Sequence, residues 1–342
     1  MIPTASFMFL VLSLVMPVDP QESASQPQKA DTVTIEKLER GYGEFPKGMT
    51  SFGATLCNNT IYVAGGKSGR AHHYARSFQN PKIFSLDLAK TEWTTAGDTL
   101  ALQGLALVSH EGKLIRIGGL EARNEEGEEH ELRSLAAVKA FDPKTKKWNK
   151  LPSLPQGRSS IDACVYKNKI YVAGGWTLKI GEDSEWASDM LVLDMDQPEP
   201  KWQSVAVPFK TRALASLAFE DKLYVMGGIQ KTGGTTRTVH VFDIQKGTWS
   251  EGAEIPCEGS IKAFGCSAVT VAGQLLVSTY DGGIYRIDDQ RSGWEKVHQL
   301  ENGRFFHRMV AAGKSSFAIV GGAHMDHGRL TEVEVFSVSV EK

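Results

Sequence analysis

The sequence predicts an all-β fold, a six-bladed β-propeller, and three observations predict it. A phrase made of an apolar strand, a short turn and a second apolar strand ending in Gly-Gly recurs along the chain, as in "NKIYVAGG". Its doublets are Gly65-Gly66, Gly118-Gly119, Gly174-Gly175, Gly227-Gly228 and Gly321-Gly322, and a degenerate "LLVSTYDGG" carries Ser278 in the corresponding place. First positions are 53, 56, 53, 51 and 43 residues apart. Downstream come Trp93, Trp148, Trp202, Trp249 and Trp294, most of them behind a strand such as "VFDIQKGTW". Finally, 34 glycines in 342 residues fit a chain of many tight turns.

Each repeat reads as a four-stranded antiparallel sheet that cannot bury both faces alone, so the units stack radially around a channel. Tryptophan suits the seam between blades because one ring buries a large area. The glycines permit close backbone approach where the second strand leaves the crowded centre. The sixth unit has a doublet and the strand "EVEVFSVSV" but no outer strand of its own. "DTVTIEKL", Asp31 to Leu38, alternates apolar and polar residues and is expected to close the ring by pairing with the last blade. The propeller then spans residues 31–342, or 52 residues per blade.

Residues Phe7 to Val18 form an apolar run too short to span a bilayer and the right length for a signal peptide, so residues 1–30 read as a leader. The chain is expected to be exported, to the periplasm or the extracellular space, with no membrane span in its mature part. The net charge of -2 argues against nucleic-acid binding. Cys57, Cys164 and Cys266 lie in apolar strands and read as buried thiols; Cys257 and Cys266 are near enough in sequence for a disulfide, which spacing leaves open.

Two sets of loops open on one face: those leading into the first strand of each blade and those leaving the doublet. The lead-in loops carry Lys47 and Thr50, then Gln103, then Arg158, Ser160 and Asp162, then Arg212, then Lys262, and finally Arg304, His307 and Arg308. A charge beside a core strand is costly to desolvate without a partner or a wet cavity. The recurrence reads as an anion-receptive ring, or else as a brace in which Arg158 pairs with Asp162 or a neighbouring blade.

The doublet loops add Lys67, Arg70, His72, His73 and Tyr74, an acidic insertion containing Glu121, and the loop residues Trp176, Lys179 and Trp186. Tryptophans on a polar loop can stack on a sugar or simply pin the loop. His72, His73, His307, His324, Asp326 and His327 fall in the first and sixth blades, which closure makes neighbours; no spacing among them is diagnostic of a metal, and none is assigned. No cofactor is indicated. His307 reads as a hydrogen-bonding or proton-transfer group of the channel.

These doublets and tryptophans resemble the kelch-repeat family, which carries both enzymes and interaction modules. Among its enzymes the chain is similar in size and blade number to the N-acetylneuraminate epimerase (mutarotase) group, whose sialic-acid substrate has a carboxylate that would suit a basic ring. That group's glutamate would fall at Gly228, so its catalytic assignment does not carry over. The sequence thus points to a binding protein for an anionic or carbohydrate ligand at the channel mouth, held by Gln103, Arg158, Ser160, Trp176, Arg212, Lys262, Arg304 and Arg308. The alternatives are an epimerase using His307, Asp162 or Glu121, and a scaffold engaging a protein partner through its loops.

Overall fold

The computed structural model describes Met1, residues 31–39 and residues 41–341; apart from Met1, the expected leader lies outside them. Six four-stranded antiparallel sheets surround one axis. Blade one runs outward through Thr50–Cys57, Thr60–Lys67, Lys82–Asp87 and Trp93–Asp98. Blades two to five repeat this order from the inner strands Ala106–His110, Asp162–Tyr166, Ala215–Phe219 and Ser267–Val271. Blade six contributes Arg308–Ala311, Ser316–Val320 and Val333–Glu341, and Thr32–Lys37 adds its outer strand in a register from Thr32↔Glu341 to Lys37↔Phe336. The ring is therefore closed as the alternation of residues 31–38 predicts, and the inner strands lie side by side around the axis.

The core is divided into six apolar clusters, one between each pair of neighbouring blades. Two repeated contacts lock those seams. The first is a latch: the second glycine of each doublet donates its N–H to a lead-in carbonyl of the next blade, from Gly66 to Leu102, Gly119 to Arg158, Gly175 to Thr211, Gly228 to Ala263 and Gly322 to Met49. The first glycine approaches that carbonyl so closely that a Cβ on Gly118 would stand 2.3 Å from the Arg158 oxygen. The second is a pin: the indole N–H groups of Trp93, Trp148, Trp202 and Trp294 donate to the carbonyls of Gly43, Asp98, Pro152 and Ala253, at or beyond the end of the preceding outer strand.

All four cysteines are buried free thiols, so Cys257 and Cys266 share a core cluster without a bond. Among the described residues no helix is long and apolar enough to cross a membrane.

Candidate functional site: the channel mouth

Six lead-in loops reach the axis in one conformation. Ser51, Gly104, Ser160, Ala213, Gly265 and Phe306 hold equivalent positions with left-handed φ between 54 and 63°. Each from Gly104 to Phe306 donates its N–H to the carbonyl of its counterpart one blade earlier, at 2.7–2.9 Å. These bonds offset the strain that a left-handed φ imposes on Ala213 and Phe306. The ring surrounds a throat cavity of about 40 Å³, room for little more than water. A groove of about 530 Å³ bounded by Phe209, Lys210, Lys231 and His240 lies on blade four and shares no residue with the throat.

Three of the predicted arginines are committed to carboxylates. Arg158 places Nη2 2.5 Å from Oδ1 of Asp189 and Nη1 3.0 Å from its backbone oxygen. Its partner is thus a third-strand residue of its own blade and not Asp162. Arg304, fully buried, pairs in the same way with Glu334, which also accepts from Lys37 of the closing strand at 2.8 Å. Arg308 bonds Asp162 Oδ1 at 2.8 Å and the Phe52 carbonyl at 3.2 Å.

The proposed proton-transfer groups are similarly held. Asp162 also accepts the Ser216 N–H at 2.8 Å, and Glu121 accepts from Arg133 at 2.7 Å. His307 is sealed in the throat wall with no partner in hydrogen-bond geometry for either ring nitrogen. Burial, reinforced by Arg304 and Arg308, pushes its pKa down to about 3, which keeps the imidazole neutral.

Arg212 is different. Its Cζ lies 4.0 Å from the Trp176 ring centroid and 5.4 Å from that of Trp186, and the two indoles meet edge to face at 5.7 Å. The half-buried guanidinium makes no hydrogen bond or ion pair, and its Nε is enclosed without a partner. Trp176 pairs with Trp186 in a two-residue ribbon that holds the indoles in place. Gln103 is buried beside the mouth with Oε1 unpartnered, and Trp176 Nε1 is likewise free. Ser160 belongs to the backbone ring, and Lys262 is half-exposed without an ion pair.

Two further cations share the mouth. Lys67 is buried, donates to the Arg70 carbonyl and stands 5.1 Å from the Tyr74 ring centroid; burial and nearby Arg329 lower its pKa to about 8. Arg329, half-buried, has no ion pair, and burial lowers its pKa also. Sequence reading placed Lys67 on a mouth loop but passed over Arg329; the signal was "HGRL" following the last doublet. Among the described residues no group of three or more His, Cys, Asp or Glu is arranged to hold a metal, and His324 instead stacks on His327 at 4.5 Å.

A profile of the Kelch motif matches residues 211–256, which span blade four from its lead-in loop past Trp249. The match falls on one blade of a ring whose six blades share one strand order. The chain is a kelch-repeat β-propeller. The solved structure of YjhT is similar, with a TM-score of 0.69 at 18% identity over 89% of this chain and 100% of that one. Kelch-like protein 35 of Mus musculus is 24% identical over 254 residues, which are 71% of this chain and 39% of that protein. Beta-scruin of Limulus polyphemus is 26% identical over 223 residues, 64% of this chain and 23% of that protein. This kelch propeller therefore spans well under half the length of these curated relatives. It also has no room for a glutamate at Gly228, where φ is 97° and a Cβ would stand 2.6 Å from the Arg212 carbonyl oxygen.

Proposed function

We propose that this kelch propeller is a binding module that receives an anionic ligand at the mouth of its channel, with Arg212 as the receiving group. The observation that carries this reading is a half-buried guanidinium, stacked on Trp176, with no carboxylate partner. The indole holds the guanidinium in place, and its Nη groups have no protein partner to compete with a carboxylate, sulfate or phosphate. Lys67 and Arg329 add positive potential in a chain of net charge -2, so the attraction is local to the mouth. Gln103 Oε1 and Trp176 Nε1 are enclosed without partners, an acceptor and a donor that a side-chain rotation would turn toward a hydroxylated acid such as an acidic sugar.

The epimerase reading has less support, because His307 is sealed and Asp162 and Glu121 are held in ion pairs. A protein partner is a second reading. It is favoured by the short ribbons around the mouth, such as Leu120–Ala122 with Leu132–Ser134, which make a firm rim for docking. Export rests on the apolar run Phe7 to Val18, and N-terminal sequencing of protein from each cell fraction tests it.

Calorimetry with acidic and matched neutral sugars tests the main reading, with Arg212→Gln as control. Binding of an acid that the variant weakens by about tenfold or more supports it. Equal binding of acid and neutral sugar, or no effect of the variant, overturns it.

A further inference from the structure

We infer that the mouth continues into an aromatic platform over blades five and six, and that the ligand is an acidic oligosaccharide and not a single acidic sugar. This rests on the reading of Arg212 above. One position before the left-handed residue, the six lead-in loops carry Thr50, Gln103, Ser159, Arg212, Phe264 and Phe305. The rim is therefore polar over blades one to three, cationic on blade four and phenyl on blades five and six.

The phenyl half extends as a contiguous series of rings. Phe264 meets Phe306 at 4.9 Å, Phe306 meets Phe305 at 5.3 Å, and Phe305 meets Tyr280 at 5.6 Å. Tyr280 stacks on His324 at 5.5 Å, and His324 on His327 at 4.5 Å. All are half-exposed except His327, which is exposed, and Met325 beside them is 64% exposed. The repeat tryptophans pack into the inter-blade clusters, whereas this series, like the Trp176–Trp186 pair, lies on mouth loops outside them, an aromatic surface open to a partner.

The rings are also fixed. The Tyr280 hydroxyl accepts from the Met325 N–H at 3.3 Å, and His324 Nδ1 accepts from the Asp326 N–H at 3.2 Å. Phenyl, phenol and imidazole side by side suit a ligand with apolar ring faces and hydroxylated edges, which a pyranose has and an aliphatic side chain lacks. Lys262, two positions before Phe264 in the same lead-in loop and without an ion pair, adds a second charge on the blade that carries Phe264. A charged, ring-repeating chain matches that order: one acidic group at Arg212, another at Lys262, sugar faces along the aromatics.

The test is calorimetry on the full chain with galacturonate, trigalacturonate, a sulfated heparin tetrasaccharide, neutral maltotriose and an Asp- and Tyr-containing tripeptide. Wild type, Tyr280→Ala, His324→Ala and Arg212→Gln are compared, each checked for an unchanged melting transition. An acidic oligosaccharide should bind about tenfold or more tightly than galacturonate, and the Tyr280 and His324 variants should erase that advantage while leaving the galacturonate affinity as it was. Equal affinities for mono- and oligosaccharide acids, both lost in Arg212→Gln, would remove the platform and leave the mouth reading standing. No binding of any acid removes both. Tyr280-dependent preference for the tripeptide replaces the sugar with a protein partner.

Discussion

Arg308 of blade six meets Asp162 of blade three, on the opposite side of the ring, with Nη1 2.8 Å from Oδ1. An ion pair between opposed inner strands bridges the bore beside the throat cavity. The remaining inner positions at that level are Gly53, Ala106, Ala215 and Ser267, small enough to let the arginine pass.

Removing either partner leaves a charge in the bore. Arg308→Ala and Asp162→Ala should each lower unfolding free energy by about 3 kcal/mol, while the double variant loses less than the sum by roughly 1–3 kcal/mol. Urea unfolding of the four proteins measures the coupling; strict additivity would mean that the pair is not energetically joined.

Arg158 and Arg212 should part company. Arg158→Ala strands Asp189 and should cost about 3 kcal/mol in unfolding free energy. Arg212→Gln breaks no ion pair and should leave the melting temperature within a few degrees of wild type while abolishing stabilisation by an acidic ligand. A thermal-shift series reads both effects.

His307 predicts acid lability. Its folded pKa of about 3 lies below the unfolded value of about 6.5, so the unfolded chain binds the extra proton between those limits. Its contribution to stability is complete above about pH 6.5 and is lost as pH falls toward 3, by about 1.4 kcal/mol per unit at the steepest. His307→Gln should flatten that limb in chemical unfolding measured from pH 7 to 4.

The thiols should be silent until the protein opens. Burial pushes Cys266 up to about 12 and Cys257 up to about 11, and Cys164 is raised also. A chromogenic thiol reagent should detect almost none in the native state and four in denaturant; a count of two in denaturant without reductant would show a disulfide.

The closing strand holds the ring. Deleting residues 31–38 uncovers the edge of Val333–Glu341 and removes Lys37 from Glu334. The shortened chain should associate through that edge, seen as dimers and larger species by light scattering.

Much of the fold could be read from spacing, because the doublets and tryptophans are needed by every blade for the same latch and pin. Even the closing strand was visible in the alternation of residues 31–38. The site was harder. Arg158, Arg212 and Arg304 look alike in sequence, and their carboxylates, Asp189 and Glu334, sit about 30 residues away on third strands. Asp162 and Arg308 are separated by 146 residues. What separates the arginines is parity: Arg158 and Arg304 stand two positions before the left-handed residue and turn into the blade, whereas Arg212 stands one before it and lies over the mouth-loop indoles. Aligning the six lead-ins on that residue would have shown the difference, and also the run Arg212, Phe264, Phe305.

Thr32 and Glu341 face each other in the outermost strand pair. The two ends of the propeller are thus already the arms of a hairpin that lacks only its turn. A permuted gene that begins at Gly41 and carries residues 31–38 behind residue 341, through a two-residue turn, would encode the same ring with every blade contiguous. During synthesis the natural order leaves Thr32–Lys37 waiting for Val333–Glu341 to emerge, whereas the permuted order lets each blade finish in turn. The junction between blades six and one is then a choice of gene order, one that the finished ring no longer records in its contacts.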